Sequence, residues 1–177
     1  MKKLSCLLLT LSLLGVSCRS ETPKPPVITP PNDTIPESLD PYESNDVFAS
    51  ATVMTVGSTS NTAVIDGKKR DVDWYKFEGT KGDKVTIEVL TQTAFADSKL
   101  DSVVYLYPPM VNDFTGALGF NDDVSLYEDG NFGSGLEVTF GETATYYIKV
   151  TSRKIDDGFD DTTPKNTYKL KLTKVAP

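Results

Sequence analysis

Eight short runs of β-branched, aromatic or alternating residues, each stopped by a turn signal, restrict this chain to a β-fold. Lys84–Thr91 shows the pattern most plainly, with Val85, Ile87 and Val89 on one face and Lys84, Thr86 and Glu88 on the other. Ala144–Thr151 repeats it with Tyr146, Ile148 and Val150 inward, and Thr167–Thr173 with Tyr168, Leu170 and Leu172 against Lys169 and Lys171. Thr62–Ile65 ends at Asp66-Gly67, Ser102–Tyr107 at Pro108-Pro109, Ala117–Phe120 at Asn121-Asp122-Asp123, and Leu136–Phe140 at Gly141-Glu142. Strands apolar on one face only belong to antiparallel sheets with a solvated outer side. With no convincing long helix, the expectation is an all-β antiparallel sandwich of about eight strands.

The remaining run, Asp71-Val72-Asp73-Trp74-Tyr75-Lys76-Phe77, carries the chemistry. Side chains two apart in a strand share a face. Asp73, Tyr75 and Phe77 therefore point one way, Trp74 and Lys76 the other. Tyr75 and Phe77 read as core, which puts Asp71 and Asp73 at the rim of the sheet. Such a pair is either part of a hard-cation site or a charged turn. Calcium needs six to eight oxygens, so a site requires further donors from elsewhere. Lys68, Lys69 and Arg70 just before the acids offer the competing arrangement, neutralisation by ion pairs, though exposed pairs of that kind stabilise little.

Composition removes most enzyme classes. The 177 residues contain no histidine, which excludes Ser-His-Asp and Cys-His catalysis and His-ligated zinc. Two cysteines, Cys6 and Cys18, make neither a disulfide framework nor a thiolate cluster. A formal charge of −7 argues against nucleic acid as a partner, since phosphate binding needs a basic surface.

Residues 1–17 read as an export signal: Lys2 and Lys3, an apolar run from Leu4 to Leu14, then small residues at Gly15 and Ser17. With Cys18 next, the stretch resembles a bacterial lipoprotein signal, which implies lipidation at Cys18 and a cell-envelope location facing outside the cytoplasm. Arg19 after the cysteine fits the outer membrane where the host has one. Gly15 stands where that pattern usually has leucine, and Gly15-Val16-Ser17 also suits ordinary signal peptidase, which would give a secreted soluble protein. Residues 18–39 are expected to form a linker, because six prolines (Pro23, Pro25, Pro26, Pro30, Pro31 and Pro36) favour an extended, semi-rigid course. The folded domain is expected over 40–177.

Its first residues, Asp40-Pro41-Tyr42-Glu43-Ser44-Asn45-Asp46, place three oxygen-bearing side chains in four positions ahead of Phe48-Ala49-Ser50-Ala51. That stretch suits a short turn or helix on the end of the sheet. Locally the cluster reads as capping, since Asn and Asp favour such positions.

Taken in order, several separated motifs resemble the bacterial pre-peptidase C-terminal domain. They are Glu43-Ser44-Asn45-Asp46 followed by Ala51, Asp71 to Phe77, Leu100-Asp101, Asn121-Asp122-Asp123, Tyr146-Tyr147-Ile148-Lys149-Val150 and Tyr168-Lys169-Leu170. The resemblance covers about residues 40–175. It implies a jelly-roll-like β-sandwich of the kind usually appended to secreted peptidases, a family that includes the collagen-binding segments of clostridial collagenases. It also implies calcium held between the N-terminal acidic segment and the acids before the aromatic strand. By position, the ligands would be Glu43, Asn45, Asp46, Asp71 and Asp73. The module is expected to stand alone on a lipid stalk, with no peptidase domain before it.

Other candidates are weaker. Asp122-Asp123 reads as Asx-turn chemistry, and Asp156, Asp157, Asp160 and Asp161 around Gly158-Phe159 as a solvated hairpin loop. Ser102 and Ser134 lack an activating base. Trp74, Tyr105 and Tyr147 fall on outward faces, where aromatics either stack on sugars, grip a peptide or pair with neighbouring strands. The functional expectation is a non-catalytic, calcium-stabilised surface module binding an extracellular polymer, collagen-like peptide or glycan, or an envelope protein. The competing expectation is a purely structural envelope lipoprotein. A carboxylate-pair glycosidase is disfavoured, because the acids cluster at turns rather than across a cleft.

Overall fold

All eight expected strands form, and a ninth, Thr52–Val53, precedes them. A computed structural model describes residues 40–109, 116–123 and 132–176, and the expected signal, Cys18 and the proline-rich linker lie outside the described residues. In chain order the strands are β1 (Thr52–Val53), β2 (Ala63–Val64), β3 (Asp73–Gly79), β4 (Lys84–Leu90), β5 (Ser102–Tyr107), β6 (Gly119–Asn121), β7 (Gly135–Thr139), β8 (Ala144–Ser152) and β9 (Thr167–Lys174). One helical turn, α1 (Arg153–Asp156), separates β8 from β9, and a 3₁₀ turn, Phe48–Ser50, precedes β1.

The strands pair as two sheets, β1-β3-β8-β5-β6 and β2-β9-β4-β7. Apart from β1 this is the jelly-roll order, two interleaved Greek keys laid face to face. The inner faces meet along Tyr75, Phe77, Leu106 and Ile148 from the first sheet and Val85, Ile87, Val89, Leu170 and Leu172 from the second. Alternation delivers this directly: β3 is registered against β8 so that Tyr75 faces Ile148 and Phe77 faces Tyr146 on the inside, while Trp74 faces Lys149 and Lys76 faces Tyr147 on the outside.

The expected strands pair antiparallel throughout, and the added β1 runs parallel to β3, Thr52 opposite Tyr75. Two residues carry no alternation to read; what holds them is the exposed edge of β3, with Met54 N–H donating to the Lys76 carbonyl at 2.8 Å. The 156–161 segment is solvated over 157–160 as expected, but it is not a hairpin, because β8 and β9 lie in different sheets. Ser152 caps α1 by accepting from Ile155 N–H. Asp161 is buried, accepting from Thr163 N–H at 3.0 Å and from Asn166 Nδ2 at 3.1 Å.

Candidate metal centre

Three stretches converge at one end of the sandwich: residues 40–46, the turn from Asp66 to Asp71, and the first residue of β3. The first is pinned at both ends. Asp40 accepts Tyr42 N–H at 2.8 Å on one oxygen and Val64 N–H at 2.5 Å on the other, which ties it to β2. Asn45 docks on the edge of β3, its carbonyl accepting Trp74 N–H at 2.9 Å and its Nδ2 donating to the Trp74 carbonyl at 3.3 Å. Glu43, between these anchors, is thereby carried over the start of β3. Capping is not what the segment does: the N-cap of the 3₁₀ turn is Val47, without a side-chain cap hydrogen bond.

The second stretch is a tight reversal. Lys69 N–H donates to the Asp66 carbonyl at 3.0 Å, and Arg70 turns the chain at φ 56°. Asp71 Oδ2 then accepts Asp66 N–H at 2.8 Å, and its carbonyl accepts the Thr151 hydroxyl at 3.0 Å. Arg70 does not neutralise the acid beside it; its guanidinium pairs with Asp160 at 2.7 Å.

Asp73 and Asp71 are not at the rim. Asp73 is fully buried and Asp71 is 6% exposed. Asp73 begins β3 on the inner face, where Tyr168 from the opposite sheet donates its hydroxyl to Asp73 Oδ2 and lies 2.8 Å from the Tyr75 hydroxyl. The alternation that makes Tyr75 and Phe77 core residues makes Asp73 one too.

Within two overlapping triads, Asp40–Glu43–Asp73 and Glu43–Asp46–Asp71, one oxygen from each residue lies within 4.8 Å of the others. Oxygens sharing one calcium at about 2.4 Å are at most about 4.8 Å apart, so each triad fits around a single ion. Five buried oxygens of the expected ligands have no hydrogen-bond partner: Glu43 Oε1 and Oε2, Asn45 Oδ1, Asp71 Oδ1 and Asp73 Oδ1. Buried polar atoms are normally paired, and leaving one unmade costs about 1–3 kcal/mol. Four of the five belong to Glu43, Asp71 and Asp73 of the triads, an arrangement that a cation would stabilise. Asp40 is the residue missed by sequence reasoning; an isolated acid before a proline carries no signal until β2 brings it here.

Electrostatics agree with the geometry. Burial first, then repulsion from Asp46, Asp40 and Asp66, pushes the Glu43 carboxyl up to about 7. Burial chiefly, with Glu43 and Asp46 adding, pushes Asp71 up to about 8. Asp73 and Asp40 are raised as well, by burial first, with Asp71 adding for Asp73. A cluster that resists charging on its own is one that a divalent cation would stabilise. Beside it lies a cavity of about 230 Å³ lined by Asp46, Lys69, Arg70, Asp71 and Val72, so two basic residues as well as the acids border the approach to the cluster. The donors are all carboxylate or amide oxygens, the set suited to a hard cation. This acidic cluster can hold a metal ion.

The expected outward aromatics lie elsewhere, on the opposite side of the five-stranded sheet from the core. Trp74, Tyr105 and Tyr147 are each half-buried there.

No family model matches the chain. It is similar to a probable subtilase-type serine protease of Deinococcus radiodurans, 37% identical over 146 residues, which takes in 76% of this chain and 18% of that protein. The chain thus spans under a fifth of this curated relative. Among solved structures it is similar to the pre-peptidase C-terminal domain of a collagenase from Bacillus anthracis, at TM-score 0.47 and 16% identity over 69% of this chain and 93% of that one. It is also similar to a periplasmic inhibitor of g-type lysozyme from Aeromonas hydrophila, at TM-score 0.44 and 13% identity over 71% of this chain and 99% of that one.

Proposed function

We propose that this chain is a non-catalytic binding module whose N-terminal junction is locked by calcium, displayed from the cell envelope through a lipid on Cys18. The observation that carries the metal reading is the set of five unpartnered buried oxygens drawn from two segments 25 or more residues apart in sequence. With both triads and Asn45 closing on one ion, these five and one oxygen from Asp46 would make six, and Asp40 would add a seventh. That count suits calcium, whereas magnesium demands a near-ideal octahedron and keeps several waters. Glu43, Asn45, Asp46, Asp71 and Asp73, with Asp40, would hold the ion. Its charge would offset the mutual repulsion of the carboxylates and clamp residues 40–46 to β3, fixing the point where the domain meets the chain before it.

The absence of histidine supports a non-catalytic role, as does the concentration of acids at a closed junction rather than across a cleft. The relative named as a protease is more than five times longer than the aligned portion, so the likeness is consistent with a module shared between a protease and this chain. The partner would be an extracellular polymer or an envelope protein. A calorimetric calcium titration of the purified protein, paired with melting curves in calcium and in EDTA, tests the metal. Binding with a raised melting temperature is expected. No heat and no shift in a decalcified sample would leave a structural sandwich without metal.

A further inference from the structure

The outer face of the five-stranded sheet is paved with aromatic rings in continuous contact. Pairing places Trp74, Lys149, Tyr105 and Phe120 in one row across β3, β8, β5 and β6, and Lys76, Tyr147 and Tyr107 in the next. Trp74 lies 5.2 Å from Tyr107 between ring centroids, Tyr107 6.2 Å from Tyr105, and Tyr105 5.5 Å from Phe120, the last two pairs within 30° of parallel. Phe48 closes one end, edge-on to Trp74 at 6.4 Å and to Tyr147 at 6.0 Å. At a strand spacing of about 4.8 Å, four strands make a platform about 15 Å across. The core needs none of these rings, and Phe120 is 59% exposed.

The platform runs into an open groove of about 410 Å³, within the range of ligand sites. Tyr147 belongs to both. The groove adds polar residues on one side, Lys76, Glu78 and Thr145, the Thr145 hydroxyl donating to Glu78 Oε1 at 2.5 Å and so turned outward as an acceptor, with Val53 of β1 as its apolar lip.

Charge selects among possible ligands. The chain is acidic overall at −7, yet this face is compensated. Lys149 lies 3.7 Å from Asp156 and 4.0 Å from the centre of the Tyr105 ring. Lys76 and Glu78 project from alternate positions of the same strand, one of each sign. A neutral face in an acidic molecule complements an uncharged ligand. Flat rings want apolar faces to stack on, and Lys, Glu and Thr in the adjoining groove want hydroxyls. A neutral polysaccharide offers both along its length; an anionic glycan would meet the net negative charge, and a basic peptide would find no acidic surplus here.

We propose that this sheet face and its groove bind a neutral polysaccharide, with Trp74, Tyr107 and Tyr105 as the stacking platform and Lys76, Glu78 and Thr145 as hydroxyl partners. The proposal deepens the reading of the chain as a binding module and rests on it. Trp74 is the sole tryptophan, so its emission reports on the platform without any substitution. The test is affinity electrophoresis and Trp74 fluorescence with hydroxyethylcellulose, xylan and glucomannan, pull-down on insoluble cellulose and chitin, and parallel arms with heparin and a Gly-Pro-Pro triple-helical peptide. At least one neutral glycan is expected to retard the protein and shift Trp74 emission. Tyr107→Ala and Lys76→Ala, each checked for an unchanged melting curve, should weaken binding by about threefold to tenfold. Binding only to heparin or only to the peptide overturns the ligand class. No response to any neutral glycan, in a sample that calcium still stabilises, overturns this inference and leaves the calcium-locked module standing. Glycan binding in a sample indifferent to calcium supports it and removes the metal instead.

Discussion

A methyl group at position 67 would sit 1.7 Å from the Asp161 carbonyl oxygen, a backbone atom that cannot step aside cheaply. Gly67 opens the reversal that delivers Asp71, and its own carbonyl accepts Asp161 N–H at 3.1 Å. Gly67→Ala is therefore expected to cost about 1–3 kcal/mol in urea unfolding, the usual penalty of overpacking. A variant as stable as the parent would show that the two loops part freely. In the sequence Gly67 reads only as a turn residue; the close approach depends on a loop more than 90 positions away. Asp71 supports a sharper experiment. Without metal its carboxylate is raised to about 8 by burial and by Glu43 and Asp46. Asp71→Asn keeps the acceptor for Asp66 N–H but removes the charge. The metal-free variant is expected to melt higher than the parent while its response to calcium collapses. Should the variant respond to calcium as strongly as the parent does, Asp71 is not a ligand.

At the scale of elements, β3 matters most, because its two faces do different work. Its outer face carries Trp74 and Lys76; its inner face carries Asp73, Tyr75 and Phe77. The hydroxyls of Tyr75 on β3 and Tyr168 on β9 meet at 2.8 Å inside the core, joining the sheets with Asp73 at the end of the chain of hydrogen bonds. Burial, together with the Asp73 charge, holds both phenols well above their usual range, so they act as neutral donors. Tyr168→Phe leaves the ring in place and strips Asp73 of its donor, for an expected loss of about 1–3 kcal/mol of stability. Tyr75→Phe, which does not touch the carboxylate, is expected to cost less; equal losses would mean that the Asp73 contact adds nothing. Period-two alternation made both faces of β3 legible from the sequence, and likewise put Tyr105 of β5 and Tyr147 of β8 outward with Trp74. What alternation could not supply was the partner across the sandwich. The rim assignment of Asp71 and Asp73 failed for that reason, since a strand's first residue is exposed or buried according to what the other sheet and residues 40–46 lay over it.

For the molecule as a whole, the raised carboxyls set a pH dependence with a definite sign. Glu43 has an ordinary value of 4.5 and is raised to about 7 when folded without metal. Asp71 goes from 3.8 to about 8. Between those limits the folded state binds more protons than the unfolded state, so stability falls as pH rises. This contribution is fully present below the unfolded values and lost as pH passes through about 7 and then about 8. The melting temperature of the EDTA-treated protein is therefore expected to fall from about pH 5 to about pH 8. On the proposed reading calcium would bind the deprotonated form, so its stabilising effect is expected to grow over the same interval. At a free concentration 100 times its dissociation constant, a bound calcium would add about 2.7 kcal/mol, or about 10 °C for a domain of this length. A flat metal-free profile would mean that these carboxylates are solvated rather than crowded.

Sequence alone determined the sandwich, its eight principal strands and which side of β3, β4, β8 and β9 meets the core, because hydrophobic alternation and turn residues are local properties of the chain. Through the likeness of its motifs it also named the acids at the junction. Tertiary structure decided how deeply those acids are buried, brought Asp40 among them, gave β1 its parallel place on β3 and laid the outer aromatics into one surface. Each of these depends on residues distant in the chain becoming neighbours, and a pattern of period two carries no information about which distant strand lies alongside.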